Sequence, residues 1–446
     1  MKEKNSFFYA VCALAVPVAL QSMLQSSFSI VDQVMIGQLG SVSIAGVGLA
    51  GKFASVVSVV ISAIGAVAGI MISQYIGQKN SREVRRSFFL NLFLALGIAA
   101  VFSAFCAAVP GKIMALYTTD NSTKQAAAEY LRITAATFLP MAGATLLSTL
   151  FRCIEKAKLP LYASIVSALL NTVLNYILIF GKCGFSPMGA KGAAIATAVS
   201  QWANMLLMLL MMQGTDLLKR TSGEQEMRET FNWKQYRAML LPILICEGAW
   251  SAGENVYAAI YGHIGTMASA AMTLINPIQG LMIGALCGLS QAAGVLIGKR
   301  LGSRDYEDAY ESSKKLILYG ICGSLLLSAL VVLTSGWYVE IYQVEETVKR
   351  YTCEILWAYA LIAPFKVLNM IVGGGILRSG GKTGYVMVID LVGTWIFGVP
   401  LGILAAFVWK LEIPAVYFIL SLEECIRFGI SVFVFRRKKW MQQLSA

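Results

Sequence analysis

The hydrophobic positions of this chain fall into long apolar runs separated by short polar and basic segments. Twelve runs stand out, at 8–36, 42–76, 87–110, 127–151, 159–181, 189–213, 238–262, 267–297, 313–337, 351–377, 384–408 and 413–435. Each reaches or exceeds the roughly 20 apolar residues that a helix needs to cross the hydrocarbon core. Any one of them reads equally well as a buried helix of a soluble protein. Twelve in succession predict an all-α polytopic membrane protein with twelve transmembrane helices. The longest polar interval, Gln213 to Arg237, lies at the midpoint and leaves six runs on either side.

The two sets of six also resemble each other. Pro17, Gly37 and Gly40 recur as Pro242, Gly262 and Gly265, each at a spacing of 225. Pro140 is echoed by Pro364, Arg152 by Arg378, Gly65 and Gly69 by Gly284 and Gly288, and Gly77 by Gly298. A duplicated half inside an apolar chain is the pattern of a two-lobed transporter, and an even number of spans per half makes the repeats parallel. The expected organisation is an N-lobe at 1–213, a cytoplasmic linker at 214–237 and a C-lobe at 238–446, two parallel six-helix repeats around a central cavity. Phe231, Trp233 and Tyr236, among Lys234 and Arg237, suggest that the linker ends in an interfacial amphipathic helix.

Composition agrees with the run pattern: the chain is 57% hydrophobic and 13% charged, with mean hydropathy +0.68, against about 25% charged residues in soluble domains. The net charge of +12 changes the picture only through its placement. Lys79 to Arg86, Arg152 to Lys158, Lys219 to Arg237, Lys299 to Lys315, Arg378 with Lys382, and Arg436 to Lys439 occupy the even-numbered loops and the carboxy terminus. Lys2 and Lys4 mark the amino terminus. This bias orients the protein with both termini in the cytoplasm. It argues for a multi-pass protein of the cell (inner) membrane and against nucleic-acid binding. The nine cysteines contain no Cys-x-x-Cys and read as apolar packing residues, and a single histidine excludes a His cluster or a His-based triad. No nucleotide-binding Gly-x-x-x-x-Gly-Lys-Ser/Thr loop is present. The chain is therefore expected to be no enzyme, to need no cofactor, and to work from a gradient or passively unless a separate ATPase is recruited.

Charged groups inside a bilayer are costly, so each is a functional candidate. On span 1, Gln25, Ser29 and Asp32 share one face. Asn171 and Asn175 lie four apart on span 5, and Thr197 and Gln201 four apart on span 6. If these faces meet, one carboxylate, amides and a hydroxyl enclose a small space suited to Na⁺, because hard cations take oxygen ligands. The same carboxylate could carry a proton instead. The bland alternative is a polar cluster that only joins helices.

In the other half Glu247 and Glu254 lie seven apart on span 7, with Trp250 between them. Lys366 is their expected partner and Asp390 is expected to join the group, either as an internal ion pair or as a substrate-facing surface. Glu423, Glu424 and Arg427 read as a local helical charge cluster near the lobe surface, and Lys52 as a snorkelling side chain. The duplication does not extend to these charges: at a spacing of 225, Asp32 overlays Tyr257, Glu247 overlays Ser22 and Glu254 overlays Ser29. The lobes are expected to do different work, a cation or proton site at Asp32, Asn171, Asn175 and Thr197, and a substrate site at Glu247, Glu254, Trp250, Lys366, Asp390 and Gln25.

Three segments carry a family resemblance. Val31-Asp-Gln-Val-Met-Ile-Gly-Gln-Leu-Gly40 resembles the first-helix signature of multidrug and toxic compound extrusion (MATE) transporters. Gly375-Ile-Leu-Arg-Ser-Gly-Gly-Lys-Thr383, with Asp390 downstream, is similar to the loop between their helices 10 and 11. Pro242 with Glu247, Trp250, Gly253 and Tyr261-Gly-x-x-Gly265 is similar to their seventh helix. The likeness spans essentially the whole chain and sits on the DinF-like side, or in an unassigned bacterial branch. It implies a monomeric antiporter, bound to lipid and to a small amphipathic organic cation as substrate, exporting that compound in exchange for H⁺ or Na⁺. It also maps the family's helix-1 acid to Asp32, its helix-5 pair to Asn171 and Asn175, and a helix-6 threonine to Thr197. Two departures accompany it: Asn175 stands where several members carry Asp, and span 10 holds Lys366 where some carry an acid. The rival reading is a flippase for lipid-linked or polysaccharide precursors in the same wider superfamily. It calls for a cavity rich in Arg and Lys.

Overall fold

The structure, a computed structural model, describes residues 2–213, 231–342 and 344–445. The interval 214–230, most of the expected linker, lies outside the described residues. No strand occurs among them, as expected for lipid-embedded backbone, which has to satisfy its hydrogen bonds within each helix.

The first half comprises α1 (Lys2–Gly37), α2 (Ser41–Gly77), α3 (Ser81–Ala108), a short α4 (Pro110–Met114), α5 (Asn121–Thr134), α6 (Phe138–Cys153), α7 (Lys158–Phe180) and α8 (Ala190–Gln213). A single 3₁₀ turn, Ala135–Thr137, joins α5 to α6, so the two make up the fourth span. The second half opens with α9 (Trp233–Ile264), α10 (Thr266–Gly302), α11 (Tyr306–Glu340) and α12 (Glu346–Asn369). A π-helical stretch, Met370–Leu377, extends α12. Span 11 is α13 (Thr383–Leu391), a π segment (Val392–Gly398), α14 (Val399–Ile403) and a second π segment (Leu404–Val408); span 12 is α15 (Ile413–Ser421) and α16 (Glu423–Arg436).

Ten of the described spans are long and apolar enough to cross a membrane by length and composition. The other two each hold more than one acid: α9 carries Glu247 and Glu254, and span 12, whose two helices meet at Leu422, carries Glu423 and Glu424 with Arg427. Trp233 opens α9, and the described residues just before it, Phe231 and Asn232, are not helical. Its ring lies 4.9 Å from Phe231 and 5.8 Å from Tyr236.

Helix starts follow capping chemistry. Asn80, Asp120, Asn232 and Asp305 each accept the amide hydrogen three residues on, at 2.9–3.2 Å. At Asp120 the bonds from Thr123, and then from Ser122, hold the carboxyl down at about 2. The repeated glycines at the first turn of each half also have a cause. Gly40 (φ +89°) and Gly265 (φ +147°) adopt backbone conformations that a side chain disfavours.

Contacts divide the chain into two compact units. The C-unit comprises the described residues of Met1–Ala19, Ser73–Lys79 and Phe231–Ala446, and the N-unit those of Leu20–Ile72 and Asn80–Thr230. Within the N-unit, α7 packs along α8, and α3 and α8 both pack on α6. Within the C-unit, α12 packs against α10, α11, α15 and α16, and α9 against α13. Glycine permits the closest approaches. A Cβ on Gly288 would fall on the carbonyl of Ala15 and one on Gly77 on that of Lys299, and a Cβ on Gly375 would lie 2.6 Å from the Ser290 carbonyl. Gly65 and Gly69 face Thr145 and Thr149, whereas Gly280 has open space, so close helix packing accounts for every one of these glycines except Gly280.

Candidate functional site

In the N-unit the three polar faces meet. The amide of Asn175, almost fully buried, donates to Asp32 Oδ1 at 2.6 Å and lies 3.1 Å from the side chain of Asn171. Asn171 in turn lies 3.4 Å from the hydroxyl of Thr197, which donates to the Ala193 carbonyl at 2.9 Å. Turned about its last bond, the Asn171 amide places its nitrogen 3.0 and 3.2 Å from the two Asp32 oxygens, the orientation that matches donors to acceptors. The i, i+4 spacing on α7 produces this convergence by stacking both amides on one face. Two features define the chemistry. Among the described residues Asp32 has no cationic partner, so amide hydrogens alone hold the carboxylate. Asn175 Oδ1 is buried without a hydrogen-bond partner, an oxygen available to a proton donor or a cation.

The acidic residues of the second half are arranged differently from the expectation. Glu247 pairs with Arg378, Nη1 to Oε1 at 3.2 Å, rather than with Lys366. Arg378 comes from the end of span 10, the segment read above as a cytoplasmic basic cluster. It also reaches Cys246 Sγ at 3.3 Å, and the Cys246 thiol donates to Asp390 Oδ2 at 2.6 Å. Asp390 is bound by Arg427, which also lies 3.6 Å from Glu424. Glu424 accepts from Asn369 at 2.8 Å, and Glu423 accepts the Tyr257 hydroxyl at 2.7 Å. The placement of Glu423, Glu424 and Arg427 near the lobe surface is thus corrected. Both acids are 6% exposed and lie on the face of span 12 that packs into the C-unit.

Two cavities flank this network. One, of about 350 Å³, is lined by Glu247, Trp250, Lys366, Arg378, Asp390 and Arg427, among others. The second, of about 340 Å³, is lined by Glu254, Lys366, Glu423 and four tyrosines, Tyr257, Tyr261, Tyr359 and Tyr417. Glu247 and Glu254 therefore serve different cavities, two turns apart on α9, and Lys366 borders both. Among the described residues Lys366 makes no ion pair. Gln25, grouped with these residues above, is an exposed residue of α1 in the N-unit and lines neither cavity. The local Arg427–Glu424 pair is as expected, but sequence reasoning did not foresee Arg378 and Tyr257 as partners of the acids or the reach of Arg427 to Asp390. The one available hint was Arg378's position inside the Gly375–Thr383 motif.

Ten spans long and apolar enough to cross a membrane, a carboxylate without a cationic partner among the described residues and two cavities make up an architecture that comparison with known proteins places among membrane transporters. The chain belongs to the MatE family: the MatE family model matches residues 17–177 and 242–404, one match per half. It is 24% identical over 425 residues to a probable multidrug resistance protein NorM of Bacillus thuringiensis, covering 91% of this chain and 90% of that one. It is also 24% identical over 419 residues to human multidrug and toxin extrusion protein 1, covering 92% and 71%. Among solved structures, a variant of the Vibrio cholerae MATE transporter VcmN superposes with a TM-score of 0.89 at 16% identity, covering 98% of each chain. The twelve-helix fold is the one these MATE structures share.

Proposed function

We propose that the protein is a cation-coupled antiporter, driven by H⁺ or Na⁺. It exports amphipathic organic compounds bearing a positive charge across the inner membrane by alternating access. Residues 1–213 and 238–446 act as the two lobes of a monomer, tethered by 214–237, with both termini in the cytoplasm. The observation that carries this reading is Asp32. It is a carboxylate on a membrane helix, held by the amides of Asn175 and Asn171, without a cationic partner among the described residues and beside the unpartnered Asn175 Oδ1.

A charge placed so is costly and sensitive to its neutralisation. Ion-free, Asp32 only accepts hydrogen bonds. A proton makes one of its oxygens a donor, and Asn175 Oδ1 is the acceptor at hand. Na⁺ would draw on the same oxygens, Asp32, Asn175 and Asn171, with the Thr197 hydroxyl beside them. Either event changes what holds α1 to α7. It favours the inward-open form to the extent that the ion binds that form better. With Asp32 charged, the outward-open form releases substrate. Glu247, Glu254, Trp250, Lys366 and Asp390 supply substrate contacts in this reading, and the relatives named for multidrug resistance and extrusion support it.

The test is transport of a fluorescent lipophilic cation in proteoliposomes, with a Na⁺ gradient and a pH gradient imposed separately. Movement driven by one gradient and lost in Asp32→Asn is the expected result. Wild-type rate and ion dependence in Asp32→Asn would defeat the proposal.

A further inference from the structure

At one end of the C-unit, basic residues outnumber the acids that could neutralise them. Segments 299–315 and 436–439 together hold nine basic and four acidic residues, so a positive surplus remains however they pair. Asp308 is bound to Arg300, Glu311 lies 2.7 Å from Lys314, and Asp305 caps α11. The Lys314–Glu311 pair is half exposed on both sides, where such a contact is weak. Lys438 makes no ion pair among the described residues.

Exposed like charges ordinarily spread apart, yet two of these converge. Lys314 and Lys438, both exposed, place Nζ 4.7 and 4.3 Å from the centroid of a single ring, that of Tyr310. The ring is held in place. It stacks on Phe435 at 4.9 Å and 14°, and Phe435 stacks on the buried Trp440 at 5.8 Å and 20°. Lys438 keeps its position at φ +57°, a conformation that a side chain disfavours. Lys314 belongs to a second feature as well. Leu318, Leu325 and Val332 follow it on one exposed face of α11, 4, 11 and 18 residues on. In a bilayer that face meets acyl chains, and the two ammoniums at its end stand where headgroups lie.

We infer that Lys314 and Lys438 bind the phosphate of an anionic phospholipid whose acyl chains run along Leu318, Leu325 and Val332. One phosphate answers the two ammoniums that Tyr310 gathers, and clustered Lys and Arg beside a membrane helix attract anionic lipid. Arg437 and Lys439, exposed next to Lys438, act against a choline headgroup, whose own cation they would meet as a like charge. The site depends on neither the coupling ion nor the exported compound.

Retention of phosphatidylglycerol and of phosphatidylcholine by the purified full-length protein in detergent is followed by native mass spectrometry. Wild type is expected to hold phosphatidylglycerol about tenfold more tightly, the order set by two lysines beside an anionic group. Lys314→Gln with Lys438→Gln is expected to abolish the preference while still retaining phosphatidylcholine, which shows the variant folded. Lys314→Arg with Lys438→Arg should keep the preference. So should Lys156→Gln with Lys158→Gln, the same charge change at two exposed lysines of the N-unit. Glycerol 3-phosphate, a headgroup without chains, should not displace the lipid at equal concentration. Four outcomes would each overturn the inference: no preference in wild type, its survival in the Lys314→Gln, Lys438→Gln pair, an equal loss in the Lys156→Gln, Lys158→Gln pair, or displacement by glycerol 3-phosphate.

Discussion

At the scale of single residues, the choice of Asn rather than Asp at position 175 decides how Asp32 is kept. An amide 2.6 Å away donates a hydrogen to the carboxylate, so the pair is stable without an ion. A second carboxylate there could not donate, and the two acids would have to share a proton or take up a cation. Asn175→Asp is therefore expected to make stability depend on Na⁺. The melting temperature of the purified variant should rise with NaCl well beyond that of wild type, with a KCl series correcting for ionic strength, and an unchanged salt profile would contradict the argument. Arg378 poses the complementary problem. Its removal leaves Glu247, a side chain 31% exposed, as an uncompensated charge. Arg378→Met is expected to cost about 2 kcal/mol, below the full penalty for breaking a buried pair because water still reaches the acid. Adding Glu247→Leu should restore most of that loss, and thermal unfolding of the two variants reads the difference.

At the scale of helices, much of the architecture is written in the chain. The twelve spans, the duplication and the Gly40 and Gly265 turns follow from run length and from backbone conformations only glycine adopts readily. Asp32, Asn171, Asn175 and Thr197 were legible for a related reason: i, i+4 spacing fixes a face, and a polar face in lipid has to find another. The C-unit network was not legible, because an ion pair across 131 residues, Glu247 with Arg378, is set by how helices pack and not by spacing within any one of them. The burial of Glu423 and Glu424 was not legible either, because which face of span 12 meets the C-unit is set by packing. Glycines test the packing side of this argument. Gly77→Ala would drive a methyl into the Lys299 backbone, whereas Gly97, exposed on α3, has nothing within 4 Å. The expected outcome is a loss on the order of 1–3 kcal/mol or failure to fold for Gly77→Ala. Gly97→Ala should give no loss or a gain of about 0.5 kcal/mol, with yield and melting temperature as the measures.

At the scale of the whole molecule, α1 and α2 are each divided between the units, at 19/20 and 72/73, so backbone runs unbroken from one unit into the other. The C-unit holds its share of α2 by an unusual device, the last residues of the chain. Gln74, with no exposed surface, donates to the carbonyls of Ser379 at 2.7 Å and Gln442 at 3.1 Å and accepts the amide of Leu444 at 2.8 Å. Tyr75 and Gln78 donate to the carbonyls of Ser445 and Leu444. Trp440, fully buried, anchors the segment by donating to Phe435 O at 3.1 Å. Loss of a buried amide that satisfies three backbone groups costs about 1–3 kcal/mol for each group left unpaired and unhydrated. Gln74→Leu should therefore lower the melting temperature clearly. A chain ending at Lys439 should lower it as well, and the two changes together should cost less than their sum, because they remove the same bonds. Asp32→Asn, made in the other unit and sharing none of these partners, should add to either. Additivity of Gln74→Leu with the truncation would show that the tail and α2 are not joined in this way. Coupling between Gln74→Leu and Asp32→Asn would contradict the independence of the two sites.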